Sequence, residues 1–288
     1  MQQRAPGQGL DQHAAPGHDP SMRWEHSTAA DLRALLGRGC TLAILPVGSV
    51  EYHADHLATG IDTIVPHTIA CRAAEIEEAL VAPPVHYVFE ECQKAHMGTI
   101  GIRAENLIPY LENVCDEIAR NGFTKILIAN GHGGNAPVLT ALTHTILGHR
   151  KGYVVDLINN PYYYYERIIK EVQEGEVVGH ACELETSIAM AIDERLVKRE
   201  HFRPSREHHR DKRDLAPVES WSSLDWHINM PQGWAGDPTK ASAAKGERLL
   251  EEGVARMVSL IRAIKADGVT APFLKDNIER ARKPWEKP

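Results

Sequence analysis

The chain has 288 residues, 43% of them hydrophobic, and a formal net charge of −7. That length supports one large domain or two small ones with a core of ordinary size. The acidic balance, with no basic block and no apolar run near membrane-span length, argues against nucleic acid and membrane as partners.

Residues 1–22, rich in Gln, Gly, Pro and Ala, read as a flexible N-terminal arm without the charged-then-apolar pattern of a secretory leader. Ser27 or Thr28 caps a short helix over 29–36. The apolar run LAIL, ending in Pro46-Val47-Gly48, predicts a buried strand at 42–47. A helix follows over 63–79, strand segments at 80–82 and 85–89 flank Pro83-Pro84, and 90–99 is a loop. An amphipathic helix spans 106–121, with Leu107, Ile108, Leu111, Val114, Cys115 and Ile118 on one face, and Asn121-Gly122 stops it. KILIA at 125–129 is a second buried strand; it runs into the turn NGHGGN and a helix over 136–147. The spacing then predicts a strand at 153–158, helices over 161–172 and 183–191, a charged loop at 203–215 and a long helix within 237–264, capped near Asp237 or Thr239. This alternation implies an α/β fold with a mainly parallel sheet covered on both faces. One domain over 23–270, followed by a C-terminal tail at 271–288, is the simplest organisation. Five cysteines, an odd count without CxxC spacing, point to a reducing cytoplasm rather than a disulfide framework.

Chemistry concentrates at 42–62, LAILPVGSVEYHADHLATGID. Ligands of open α/β sheets bind beyond the carboxyl ends of the strands. Here Glu51, His53, Asp55, His56 and Asp62 follow such an end. Imidazole and carboxylate together are ordinary ligands of zinc, manganese or iron. Glu51 and His53 point the same way on an extended segment, and Asp62 has two oxygens with which to bridge a metal pair. A polar, solvated loop is the plainer alternative. His132 in NGHGGN is a second candidate ligand; otherwise it caps the following helix. In HACELETS, His180 is a candidate acid/base and Glu185 a further ligand, or Glu183 and Glu185 serve the helix N-terminus. Asp55 and His56 read as supporting groups rather than ligands. The tyrosines at 162–165 suit a pocket wall or a subunit contact, and Trp221, Trp226 and Trp234 a cover over the site.

Four stretches, LPVGSVEYHADHLATGIDT, NGHGGN, HACELETS and GWAGDPTKASAAKGERLLEEGV, resemble the creatininase (creatinine amidohydrolase) family in the family's own order, over roughly residues 40–265. The resemblance implies a three-layer α/β/α sandwich, so that 23–270 is a creatininase-like catalytic domain. It implies hydrolysis of a non-peptide C–N bond with a divalent metal, two per subunit (zinc, manganese or iron), and homo-oligomers, commonly hexamers. Carried over, Glu51, His53, Asp62 and His132 look like metal ligands with Asp62 bridging, His180 like the proton-handling histidine, and Glu185 like a catalytic carboxylate or ligand of the second metal. Gly133, His96 and Cys92 fall where substrate binds. Creatininase proper reads NGHYEN, so Gly134 stands where that enzyme has a glutamate ligand. His96-Met97-Gly98-Thr99 also departs from the relatives' histidine followed by Phe-Pro-Gly-Thr.

The expected function is therefore a cytoplasmic, metal-dependent hydrolase of a small polar amide, cyclic or formamide, working by attack of metal-bound water. The alternatives are a hydrolase that opens a cyclic keto-polyol of dehydro-inosose type at a C–C bond, and a metal-binding protein without catalysis.

Overall fold

Thr28 starts the first helix, α1 (Ala29–Gly37), through a reciprocal capping box with Asp31. The chain then enters β1 (Leu42–Val47), buried at every position. The computed structural model describes residues 22–205 and 222–286. The expected arm as far as residue 21, most of the charged loop at 203–215 and Trp221 lie outside them, whereas Met22 is buried in the core.

β1 leads to α2 (Ile61–Ile76), β2 (Leu80–Val81), α3 (Ala104–Arg120) and β3 (Lys125–Asn130). A one-turn 3-10 segment (Gly133–Asn135), α4 (Ala136–Gly148) and β4 (Val154–Ile158) complete the sheet region. Among the described residues the sheet has four strands, all parallel, in the order β2-β1-β3-β4. β1 and β3 pair over their whole length, from Leu42 against Lys125 to Val47 against Asn130. Pro46 is tolerated in this central strand for a specific reason. Its carbonyl accepts from Val85, on the β2 side, where the two-residue β2 has already ended, so its missing N–H removes no ladder bond.

Helices α2 and, from later in the chain, α6 (Glu183–Ile192) and α8 (Ala243–Ala266) pack together on one side of the sheet, and α3 and α4 pack together on the other. This is the expected three-layer arrangement. The chain leaves β1 for β2 on one side and returns to β3 on the other, so the crevice above β1 and β3 is a topological switch point.

Several boundaries differ from the sequence reading. α2 begins at Ile61, after Gly60, which puts Asp62 in its first turn, where a carboxylate meets the positive end of the helix dipole. The stretch 85–89 makes only isolated bridges, Val47 to Val85 and Val88 to Gly101, because Pro83-Pro84 interrupts the ladder. The stretch 161–172 divides into a 3-10 turn (Pro161–Tyr164) and a short α5 (Ile169–Val172). Asp237 caps a separate 3-10 turn, and α8 starts only after Ser242, whose side chain accepts from Lys245 N–H. α7 (Leu224–Asn229) lies before it, and residues expected as a tail form α9 (Thr270–Arg282), packed near β4.

Candidate metal centre

Two glycines decide how the site is built. A Cβ on Gly48, just past β1, would lie 2.3 Å from the Cα of Thr63. A Cβ on Gly131, just past β3, would lie 1.9 Å from the carbonyl oxygen of Asp62. The bare backbone at both strand ends therefore lets the first turn of α2 rest on the sheet edge and delivers Asp62 between the two loops. Asparagines brace the second loop: His132 N–H donates to Asn130 Oδ1 at 3.1 Å, and the Asn135 side chain donates to the Gly48 carbonyl at 2.9 Å.

Asp62 presents one oxygen to each of two histidines. Its Oδ1 is 3.2 Å from His53 Nε2, and its Oδ2 is 3.0 Å from His132 Nδ1. Ser49 Oγ donates to Oδ2 at 2.7 Å. Glu51 also spans the site, with Oε2 2.8 Å from His132 Nδ1 and Oε1 3.7 Å from His180 Nε2. Among the described residues two groups that could hold a metal ion result, Glu51-His53-His180 and Glu51-Asp62-His132, with Glu51 common to both. Glu51, His53, Asp62 and His132 are all buried.

The electrostatics follow from that burial. Burial pushes the Glu51 carboxyl up to about 8, against the pull of His132. Burial opposes a charge on His53, but Asp62 and Glu51 outweigh it and lift the imidazole to about 10. Burial likewise opposes charge on Asp62 and His132. The carboxylate is nevertheless held well below its ordinary range by His53 and His132, and the His132 imidazole well above its own by Glu51, Asp62 and Glu90. Burial and the neighbouring His53 push His180 down to about 3. Burial raises Glu185 to about 7 despite His53.

This donor set fits a divalent cation. Glu51 Oε2 and His53 Nε2 have no hydrogen-bond partner although each lies within 3.2 Å of another ligand atom. Two carboxylates and two imidazoles that converge in a buried place with donor atoms left unpaired are what a metal site offers.

The clusters open into a cavity of about 1170 Å³. Cys92, Gly133, His180 and Glu185 line it, as do Tyr162, Tyr164, Tyr165 and Trp226. His180 Nε2 lies 2.7 Å from the Tyr52 carbonyl, which only accepts; Nε2 therefore carries the proton and Nδ1 the lone pair. Glu185 belongs to neither ligand cluster, and its Oε2 accepts from the Ala181 N–H at 2.6 Å. His96 does not line the cavity; it stacks on Tyr52 with ring centroids 4.4 Å apart. Glu183 points away from the ligands, accepting from Glu174 and Gly175 N–H groups and from Lys245. Tyr163 instead receives the Arg256 guanidinium 3.9 Å over its ring. Asp55 is exposed, and His56 is buried with Nε2 3.2 Å from Thr186 Oγ1. Trp234 packs on Ala54 and Ala181.

The sequence reading passed over Glu90. It falls at the start of the predicted loop 90–99, yet it is buried with Oε2 2.7 Å from His132 Nε2. The signal was a carboxylate directly behind the apolar segment Val88-Phe89, the same pattern that marked Glu51 behind β1.

The creatinine amidohydrolase (creatininase) family model matches residues 25–261. Creatinine amidohydrolase of Pseudomonas putida is 30% identical over 114 residues, 38% of this chain and 44% of that enzyme, so the match spans less than half of its length. 3-Dehydro-scyllo-inosose hydrolase of Thermotoga maritima is 28% identical over 252 residues, 78% of each chain. Mycofactocin precursor peptide peptidase of Mycolicibacterium smegmatis is 27% identical over 243 residues, 78% of this chain and 85% of that one. Solved creatininase structures, one in a manganese form (TM-score 0.74) and one of a mutant of Zn-Zn type (TM-score 0.73), are each 22% identical. They cover 86% of this chain and 100% and 99% of their own, and they show the fold. With the sheet, both strand-end loops and the HACELETS helix all inside the matched span, the chain belongs to the creatininase family.

Proposed function

We propose that the protein is a metal-dependent hydrolase of a non-peptide C–N bond in a small polar amide, cyclic or formamide. The observation that carries this reading is Asp62, buried between His53 and His132 with one oxygen toward each. Glu51, His53, Asp62 and His132 would hold the metal; Glu185 would join them as a ligand or, left uncoordinated, carry a proton. A divalent ion such as zinc, manganese or iron supplies Lewis acidity toward the scissile carbonyl and acidifies water.

The chain's own residues do the rest. The Nδ1 lone pair of neutral His180 accepts a proton at the substrate, because Nε2–H is committed to the Tyr52 carbonyl. Glu185, raised to about 7, holds a proton near neutrality and can pass it to the leaving nitrogen. Tyr162, Trp226 and Cys92 shape the wall that orients the substrate, and Gly133 leaves the turn bare beside it. The proposal includes a homo-oligomer working in the cytoplasm. Among the described residues all five cysteines are free, and no helix is long and apolar enough to cross a membrane.

A second reading is hydrolysis of a C–C bond in a cyclic keto-polyol. The 78% coverage of the inosose hydrolase in both directions favours it over the shorter creatinine amidohydrolase match. Metal analysis of the purified chain, followed by profiling on cyclic amides, formamides, short peptides and keto-inositols, tests both. Absence of metal even after reconstitution would end the metal-hydrolase reading. Turnover confined to keto-inositols would replace the amide reading with the second.

A further inference from the structure

Glu90 is a buried carboxylate whose two oxygens have different surroundings. Oε1 accepts the Gln93 N–H at 2.7 Å, closing a local turn. Oε2 makes no hydrogen bond, although it lies only 2.7 Å from His132 Nε2, which makes none either. A carboxylate kept only for the turn needs the first contact and not the second.

The position is set from behind. Gln93 donates its side-chain N–H to the Gly233 carbonyl at 2.5 Å, which ties the turn to the segment after α7. A Cβ on Gly101 would lie 2.3 Å from the Glu90 carbonyl oxygen, so the neighbouring strand-like segment closes directly over the Glu90 backbone. The same nitrogen also depends on a glycine. A Cβ on Gly134 would lie 2.3 Å from His132 Nε2, so any side chain there would displace the ring from its present place.

The two ring nitrogens of His132 therefore face different groups. Nδ1 faces Glu51 and Asp62, the ligand cluster; Nε2 faces Glu90. Metal-bound histidines characteristically donate the second ring N–H to a carboxylate, which fixes the tautomer and raises ligand basicity. We propose that Glu90 is the positioning residue of His132, holding the proton on Nε2 so that the Nδ1 lone pair faces the metal. This inference rests on the metal-hydrolase reading.

The test is zinc affinity of the full-length chain, wild type against Glu90→Gln and Glu90→Ala, by competition with a chromophoric chelator. At saturating zinc all three should bind the same number of equivalents. The affinity of one site should fall by about 10–100-fold, less for E90Q, whose amide oxygen still accepts Nε2–H, than for E90A. The apo form of isosteric E90Q should unfold at the wild-type midpoint, separating positioning from folding. Unchanged zinc affinity in both variants would overturn the proposal. One equivalent fewer at saturation would also overturn it, since Glu90 would then be a ligand itself. A wild-type chain that takes up no zinc would instead overturn the metal reading, and this inference with it.

Discussion

His132 Nδ1 lies 3.0 Å from Oδ2 of Asp62, although 70 residues separate them. The contact exists because the first turn of α2 sits on the bare backbone of Gly131. It joins the two loops into one site, and because Asp62 also contacts His53, its loss should be felt at both candidate clusters. Asp62→Asn should bind every tested divalent ion at least about tenfold more weakly, the scale at which even a supporting group acts on a metal site. Isothermal titration with manganese and zinc would show it. Wild-type affinity for both ions would remove Asp62 from the centre.

Metal should also stabilise the fold by mass action, since the ligands are brought together only in the native state. At a free ion concentration 100 times the dissociation constant, the gain is about 2.7 kcal/mol. Thermal unfolding with and without added manganese should therefore show a rise, reversed by chelator and absent in His132→Ala. That variant should lose turnover as well as metal.

Gly131→Ala should be destabilising by about 3 kcal/mol or more. Its new Cβ meets backbone, the Asp62 carbonyl, and not a side chain that can move aside. Urea unfolding of the metal-free protein would measure the effect. A neutral result would mean that α2 docks less tightly on the strand end than the geometry requires.

His56 supplies a pH prediction. Burial lowers its imidazole from 6.5 to about 4 in the folded chain. Between those values the unfolded chain binds the extra proton, so His56's contribution is complete above about pH 6.5 and is lost as the pH falls toward 4. The full contribution is at most about 3 kcal/mol. The stability difference between wild type and His56→Gln, followed in the metal-free state, should shrink over that window. A difference independent of pH would show that His56 acts through packing alone.

Lys245 tests the frame behind His180. Its Nζ lies 2.5 Å from Glu183 and 2.7 Å from Glu174, and the Glu183 side chain is only 2% exposed. Lys245→Met would leave a buried carboxylate without its cation, at roughly 3–5 kcal/mol. Because Glu183 also ties down the backbone at Glu174 and Gly175, turnover should fall while metal content stays at the wild-type level.

The parts of this architecture that were legible from residues are those where pattern and packing agree. LAILPV and KILIAN are buried strands because both faces of a parallel sheet are covered. Their terminal loops announce a site because ligand side chains follow directly. Three features were hidden for physical reasons. Asp62 reads as loop until one sees that Gly60 ends the loop and the helix starts at Ile61. The 161–172 stretch has helical composition, but its tyrosines are committed elsewhere: Tyr164 donates to the Asn130 carbonyl at 3.1 Å, which leaves a 3-10 turn. The nearby partner of Glu90, the Gln93 N–H, marks only a turn; its significance lies in His132, which only the fold brings beside it.

The β1–β3 register also has a temporal meaning. Glu51 follows one strand and His132 the other, and those strands pair only after the chain between them has gone out to β2 and returned through α3. Long-range parallel pairing of this kind is slow to form. A folding chain that has made α3 or the β1–β2 edge but not the β1–β3 ladder therefore cannot assemble the Glu51-Asp62-His132 cluster. Acquisition of a tightly held ion would mark completion of the central ladder, and the same ladder would have to part before that ion is surrendered through unfolding.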